Sequence, residues 1–271
     1  MPAGEPEVVN ATAGAIPLPT VPKAALVTGG AQRIGRALVL ALAEDGFAVA
    51  VHHRRSGTAA EKLVEVIRSK GGTAVAVSAD LGDEGAVRAL LPRAEHALGP
   101  IGCLVNNAAV FASDTVETVT RESWDLHVAV NLRAPFVLIQ DFARRLPKGA
   151  GGVVVNLLDQ RVWSLTPYFV SYTLSKVGLW TLTQTMALAL APRIRVNGIG
   201  PGPALPSARQ SAAEFARQCA TMPLARGTSP REIAAALRFI LSAPAMTGQM
   251  IALDGGQHLG WAQPQRQPII E

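Results

Sequence analysis

The stretch that most constrains the fold runs from Ala24 to Glu44. A short apolar run, Ala24-Ala-Leu-Val-Thr28, leads through the glycine-bearing turn Gly29-Gly-Ala-Gln-Arg-Ile-Gly35 into an apolar-rich segment of helical length, Ile34 to Glu44. Strand, turn and helix follow in that order, and the rhythm then repeats. Ala48 to Val51 reads as a second buried strand, and Ala59 to Lys70 as a helix closed by Gly71-Gly72. Val75 to Ser78, Cys103 to Asn106, Gly152 to Leu157, Ile194 to Gly198 and Met250 to Leu253 are further strand candidates, separated mostly by helical stretches.

That alternation predicts an α/β fold: one Rossmann-like, doubly wound parallel sheet of about seven strands with helices on both faces. Ligands of such sheets lie outside the carboxyl ends of the strands. At 271 residues, 49% of them hydrophobic, the chain can bury a large core as a single domain, here placed at 23-260. Residues 1-22 contain prolines and no sustained apolar run, so they read as a flexible N-terminal leader with no membrane span, and 261-271 reads as a polar C-terminal tail. Cys103 and Cys219 lie far apart, with no C-x-x-C and no histidine cluster at ligand spacing. Reduced, buried thiols, no metal and a cytoplasmic location are therefore expected. The net charge of +5 is dispersed, its one tight cluster being His52-His-Arg-Arg55, which argues against nucleic acid as a partner.

Chemistry enters at two places. The glycines after the first strand let backbone amides approach a pyrophosphate, which the following helix N-terminus favours electrostatically. Further on, Tyr172 and Lys176 stand four residues apart and share a helical face. A cation beside a phenol that titrates near pH ~10 would lower that value and make a proton donor. By itself the spacing is equally that of an ordinary amphipathic pair.

The wider series decides between these. Thr28-Gly-Gly-Ala-Gln-Arg-Ile-Gly35 resembles the T-G-x-x-x-G-x-G turn of the short-chain dehydrogenase/reductase family, with Arg33 where the middle glycine usually stands. Asp80-Leu81, Asn106-Asn-Ala108, Asn131, Tyr172-x-x-x-Lys176 and Pro201-Gly202 match the family's other motifs in order, nearly throughout Lys23 to Gly260. The resemblance implies that Gly29, Arg33, Ile34, Gly35, Asp80, Leu81, Asn107, Ala108, Tyr172, Lys176, Pro201 and Gly202 hold a dinucleotide, and that Asn131, Tyr172 and Lys176 are catalytic. It further implies a substrate loop within residues 203-225 and, from Met250-Ile-Ala-Leu-Asp-Gly-Gly256, a homotetramer.

Four departures narrow the resemblance to the pteridine reductases: Arg33 in the turn, the His52-His-Arg-Arg-Ser56 stretch, Phe111 after Asn106-Asn-Ala-Ala-Val, and Asp159 in place of serine. Phe111 would then be a stacking wall for a flat pterin, against the plainer reading of a core phenylalanine. Asp159 would assist proton delivery along the pterin edge, where a hydroxyl would have served a ketone; its plainer reading is a cap for the Tyr172 helix. Arg33 would meet the pyrophosphate, the pterin or both. The second strand ends without the acidic residue that NAD enzymes use, and His53, Arg54, Arg55 and Ser56 suit a 2′-phosphate, so NADPH is expected over NADH. The reading is an NADPH-dependent pterin or folate reductase. Its alternatives are a carbonyl or enoyl-type reductase of the same family and a dinucleotide-binding regulator without turnover.

Overall fold

The structure, a computed structural model, describes residues 19-207 and 210-260. Seven parallel strands form one sheet: β1 (Ala24–Val27), β2 (Ala48–His53), β3 (Ala74–Ser78), β4 (Cys103–Asn106), β5 (Gly152–Leu157), β6 (Ile194–Pro201) and β7 (Met250–Leu253). Their order is β3-β2-β1-β4-β5-β6-β7, so the winding reverses between β1 and β4 and opens a crevice there. Among the described residues eight α-helices flank the sheet: α1 (Arg33–Glu44), α2 (Gly57–Ser69), α3 (Glu84–Leu98), α4 (Arg121–Val128), α5 (Ala134–Arg145), α6 (Val170–Leu190), α7 (Ala212–Ala220) and α8 (Pro230–Ser242).

The strands are nearly continuous apolar runs because both faces are covered. Alternate residues of β1, Ala25 and Val27 against Ala24 and Leu26, enter two separate cores on opposite faces. Two strands run further than their apolar residues announce. The ladder to β3 carries β2 through His52 and His53, and the ladder to β7 carries β6 through Gly200 and Pro201. The first extension brings two imidazoles to the carboxyl edge, where Asn106 Nδ2 also donates to Asn156 Oδ1 across β4 and β5 at 2.8 Å.

The leader expected to reach residue 22 ends sooner. Gly151 N donates to Thr20 O at 3.0 Å, and a Cβ on Gly102 would lie 2.1 Å from Pro22 O, so this stretch packs closely on the domain. The rest of the leader, residues 1-18, and the tail, residues 261-271, lie outside the described residues. Both cysteines are free thiols; Cys103 is buried, but Cys219 is only partly covered because α7 buries none of its residues. Among the described residues no helix is long and apolar enough to cross a membrane, and no group of three metal-ligating side chains occurs.

Candidate active site

The glycine turn is built from both sides of the crevice. Gly29 has φ +61°, and a Cβ there would sit 3.0 Å from Ala108 Cα; one on Gly35 would sit 2.1 Å from Gly29 O. Thr28 Oγ1 accepts from the amides of Asn107 and Ala108 at 2.9 and 3.0 Å, and Asn107 Nδ2 donates to Thr28 O and Gly29 O at 2.8 and 3.1 Å. His52 completes the clamp. Its Nδ1 accepts from Gly29 N at 3.0 Å and its Nε2 donates to Ala79 O at 3.1 Å, which fixes the tautomer. Burial pushes its pKa down to about 4. His52 is thus a neutral strut, and the basic cluster expected at residues 52-55 loses one of its members for that reason.

Arg33 opens α1 at φ +54°, a left-handed backbone that costs a side-chain-bearing residue roughly 1–2 kcal/mol. Its guanidinium donates to Pro206 O at 2.9 Å and Leu205 O at 3.4 Å, tying the turn to the segment after β6. No side chain caps α1 and no acidic residue stands in its first turn. That helix end faces a cavity of about 540 Å³ shared by Gly29, Arg33, Ile34, Gly35, His53, Arg54, Arg55, Ser56, Asn107, Ala108 and Phe111. His53 Nδ1 is buried in this wall with no hydrogen-bond partner among the described residues. Arg54 lies 3.7 Å from Asp80 in a half-exposed pair.

An adjoining cavity of about 390 Å³ brings candidate site residues together: Asp159, Tyr172, Phe111, Gly202, Arg33 and Ile34 line it. Tyr172, buried on α6, donates its hydroxyl to Asp159 Oδ2 at 2.9 Å. Asp159 Oδ1 accepts from Arg161 N at 2.9 Å, capping the 3-10 turn Gln160–Val162. The capping reading therefore holds for that turn rather than for the Tyr172 helix, and it leaves the second oxygen for the phenol. Arg161 Nη1 stands 3.4 Å from Asp159 Oδ2, while its Nε is buried without a partner among the described residues. The same guanidinium overlies Phe169 and Phe111, 4.9 and 5.7 Å from their ring centroids.

The expectation that Lys176 lowers the Tyr172 pKa is not met. Burial and then Asp159 push the phenol well above its usual value, and the cation that opposes them is Arg161. Lys176 Nζ instead donates to Leu157 O at 2.6 Å, and burial pulls its pKa down to about 8. Phe111 lines both cavities; its ring is stacked on Phe169, centroids 4.6 Å apart at 4°, and meets Tyr172 edge-on at 4.7 Å.

Several expected site residues lie outside the lining of these two cavities. Asn131 is buried in the π-helical stretch Ala129–Arg133, where it exchanges hydrogen bonds with both backbone groups of Val110 and donates to Ser175 Oγ at 3.0 Å. Leu81 is buried in the core, Asp80 accepts from Gly82 N at 2.9 Å, and Pro201 ends β6. Arg161 and Phe169 are the residues that sequence reasoning missed, and His52, read there as part of a basic cluster, is instead the strut under the turn. A histidine that continues an apolar strand was the one available signal; nothing local marks the other two.

A second missed group fixes the start of α6. Phe169 adopts φ +59° there and caps nothing. Asp114, from the segment after Phe111, supplies the cap: its carboxylate accepts from Ser171 N at 3.3 Å and from Ser171 Oγ, and its carbonyl accepts from Phe169 N at 2.7 Å. Buried His127 stands 2.7 Å from the same Ser171 hydroxyl.

A carboxyl-edge crevice with a glycine turn, a buried Tyr-x-x-x-Lys helix and a mid-helix asparagine defines a class. A family model described as Enoyl-(Acyl carrier protein) reductase matches residues 29–258. The chain belongs to the short-chain dehydrogenase/reductase family of oxidoreductases. Among solved structures it is similar to FolM Alternative dihydrofolate reductase 1 from Brucella suis in complex with NADP, at 50% identity and TM-score 0.86 over 90% of this chain and 97% of that one. The protein of the same name from Brucella canis, also with NADP, is 48% identical with TM-score 0.84, covering 89% and 96%. The 3-oxoacyl-[acyl-carrier-protein] reductase FabG of Staphylococcus aureus (strain Mu50 / ATCC 700699) is 33% identical over 242 residues, 88% of this chain and 98% of that protein.

Proposed function

We propose that the chain is an NADPH-dependent reductase of a pterin, taking a dihydropterin or dihydrofolate to its tetrahydro form. The observation that carries this reading is the Tyr172–Asp159 pair, a phenol hydrogen-bonded to a carboxylate at the point where a ketone reductase would use a hydroxyl. Reduction of a ring C=N bond needs a proton on nitrogen, and the substrate's amidine-like N–H groups need an acceptor; the pair supplies both. Similarity to two proteins named alternative dihydrofolate reductase supports it.

The residues present fit the dinucleotide. The uncapped start of α1 suits its pyrophosphate, and the buried, partnerless Nδ1 of His53 with Arg54, Arg55 and Ser56 suits a phosphorylated ribose. When bound, NADPH supplies the hydride. Tyr172 gives the proton, its raised pKa keeping the phenol protonated until a nitrogen base meets it. Lys176 holds α6 to the end of β5, and its depressed pKa makes it responsive to an added anion or hydroxyl nearby. Asp159 accepts from the substrate edge, while Arg161 holds it in place through its backbone N–H and its guanidinium. The stacked rings of Phe111 and Phe169 form an apolar wall.

The decisive assay follows NADPH absorbance with dihydrobiopterin, dihydrofolate and simple ketones. Turnover of the pterins, lost in Tyr172→Phe, supports the proposal. Turnover of ketones alone would replace it with a carbonyl reductase, and binding without oxidation would make the chain a regulator.

A further inference from the structure

A groove between α1 and α8 continues the reactive cavity outward. It encloses about 950 Å³, and Arg33 and Leu205 line both spaces. Arg33 stands on the rim between them, fixed by its bonds to the carbonyls of Leu205 and Pro206. Arg36 follows one helical turn along α1 on the same face, and Arg231 faces it from the first turn of α8. Ala37, Leu40 and Ala234 form an apolar floor.

The charges of this groove do not balance. Its two acids are already engaged: Glu44 pairs with Arg238 at 2.9 Å and Glu232 with Arg226 at 2.5 Å. Arg36 and Arg231 are exposed, and neither reaches a carboxylate within ion-pair distance among the described residues. A ligand leaving the reactive cavity past Arg33 therefore meets two further guanidinium groups in succession, each a planar fork suited to a carboxylate.

We propose that this groove is a subsite for a substrate tail carrying several carboxylates, of the kind a glutamylated folate presents. The proposal rests on the pterin reading above and names the substrate class within it. A pterin with a short hydroxylated side chain would end before the groove. A carrier-bound acyl chain would bring apolar length to a floor only a few side chains long. A γ-linked glutamate chain places one carboxylate on each added unit, which matches cations spaced along a strip over a narrow apolar floor.

Calorimetric titration of the full chain, saturated with NADP, against biopterin, folate and pteroyltriglutamate tests this. Pteroyltriglutamate should bind roughly tenfold tighter than folate at low ionic strength, and the advantage should shrink as salt rises. The double variant Arg36→Glu with Arg231→Glu should lose that advantage and bind biopterin as the parent does. Arg36→Gln with Arg231→Gln should lose part of it, which keeps the test sound if charge reversal harms folding. Equal affinity for folate and pteroyltriglutamate, or an undiminished preference in both double variants, would overturn the subsite while leaving the pterin reading intact. Failure of biopterin and folate alike to bind would instead overturn the pterin reading and the subsite with it.

Discussion

Tyr172 and Asp159 are joined by a 2.9 Å hydrogen bond inside a buried pocket, and the bond opposes ionisation of the phenol. Burial contributes most to the raised pKa, the Asp159 charge next, and Arg161 works against both. The chain has two tyrosines, so Tyr168→Phe leaves Tyr172 as the sole phenol and phenolate absorbance reports it directly. In that variant phenolate should not develop until well past pH ~10. Adding Asp159→Asn should bring the transition down, while burial keeps it above the free value. An unmoved transition would mean that the carboxylate does not govern the phenol.

Arg54 and Arg55 bring positive charge to the end of β2, where no acidic residue stands to accept a ribose hydroxyl. Charge reversal at both positions should raise KM for NADPH by roughly ten- to a hundredfold, the range expected when charge-assisted hydrogen bonds to a phosphate become repulsions. NADH, lacking that phosphate, should be nearly unaffected. Initial rates with the two cofactors decide it, and a parallel loss for both would assign these arginines another role.

Asp114 caps α6 from another part of the chain, so its loss should loosen the helix that carries Tyr172 and Lys176. Desolvation pushes its carboxyl up, but hydrogen bonds from Ser171 and Ser123 outweigh this and hold the pKa below the usual range. Asp114→Ala should cost about 2–3 kcal/mol in urea unfolding, with Asp114→Asn retaining part of it. The same bonds anchor the segment bearing Phe111, so near-UV circular dichroism should change as well. A stability loss below ~0.5 kcal/mol would show that the helix does not depend on this cap.

The sheet was legible because a parallel strand covered on both faces is nearly continuously apolar, and the runs of β4, β5 and β7 coincide with their ladders to the residue. Asp159, Tyr172, Arg33 and Phe111 were legible as members of motifs, and they meet in one cavity. What stayed hidden depends on contacts distant in sequence. Arg161 matters through two rings and a carboxylate, Asp114 through a helix start 57 positions away, and His52 through a turn and the end of β3. Lys176 shows the limit of spacing arguments. Four residues place it beside Tyr172, yet the carbonyl of Leu157 claims its ammonium.

His52 couples acidity to the glycine turn. Its folded pKa of about 4 lies below the ordinary value of 6.5 because the ring is buried, a cost that the hydrogen bond to Ala79 O offsets only in part. Between those values the unfolded chain takes up a proton that the folded chain refuses, so this contribution is complete above pH 6.5 and disappears as pH falls toward 4. Its size is on the order of 3 kcal/mol. Urea unfolding from pH 7.5 to 4 should show a loss in the parent that is absent from His52→Gln, whose amide can accept from Gly29 N and donate to Ala79 O without titrating. Because Nδ1 is the acceptor that grips Gly29, the same protonation removes the strut beneath the dinucleotide turn, and NADP affinity should weaken over this window in the parent more than in the variant. Identical pH slopes for the two proteins would show that the acid sensitivity lies elsewhere.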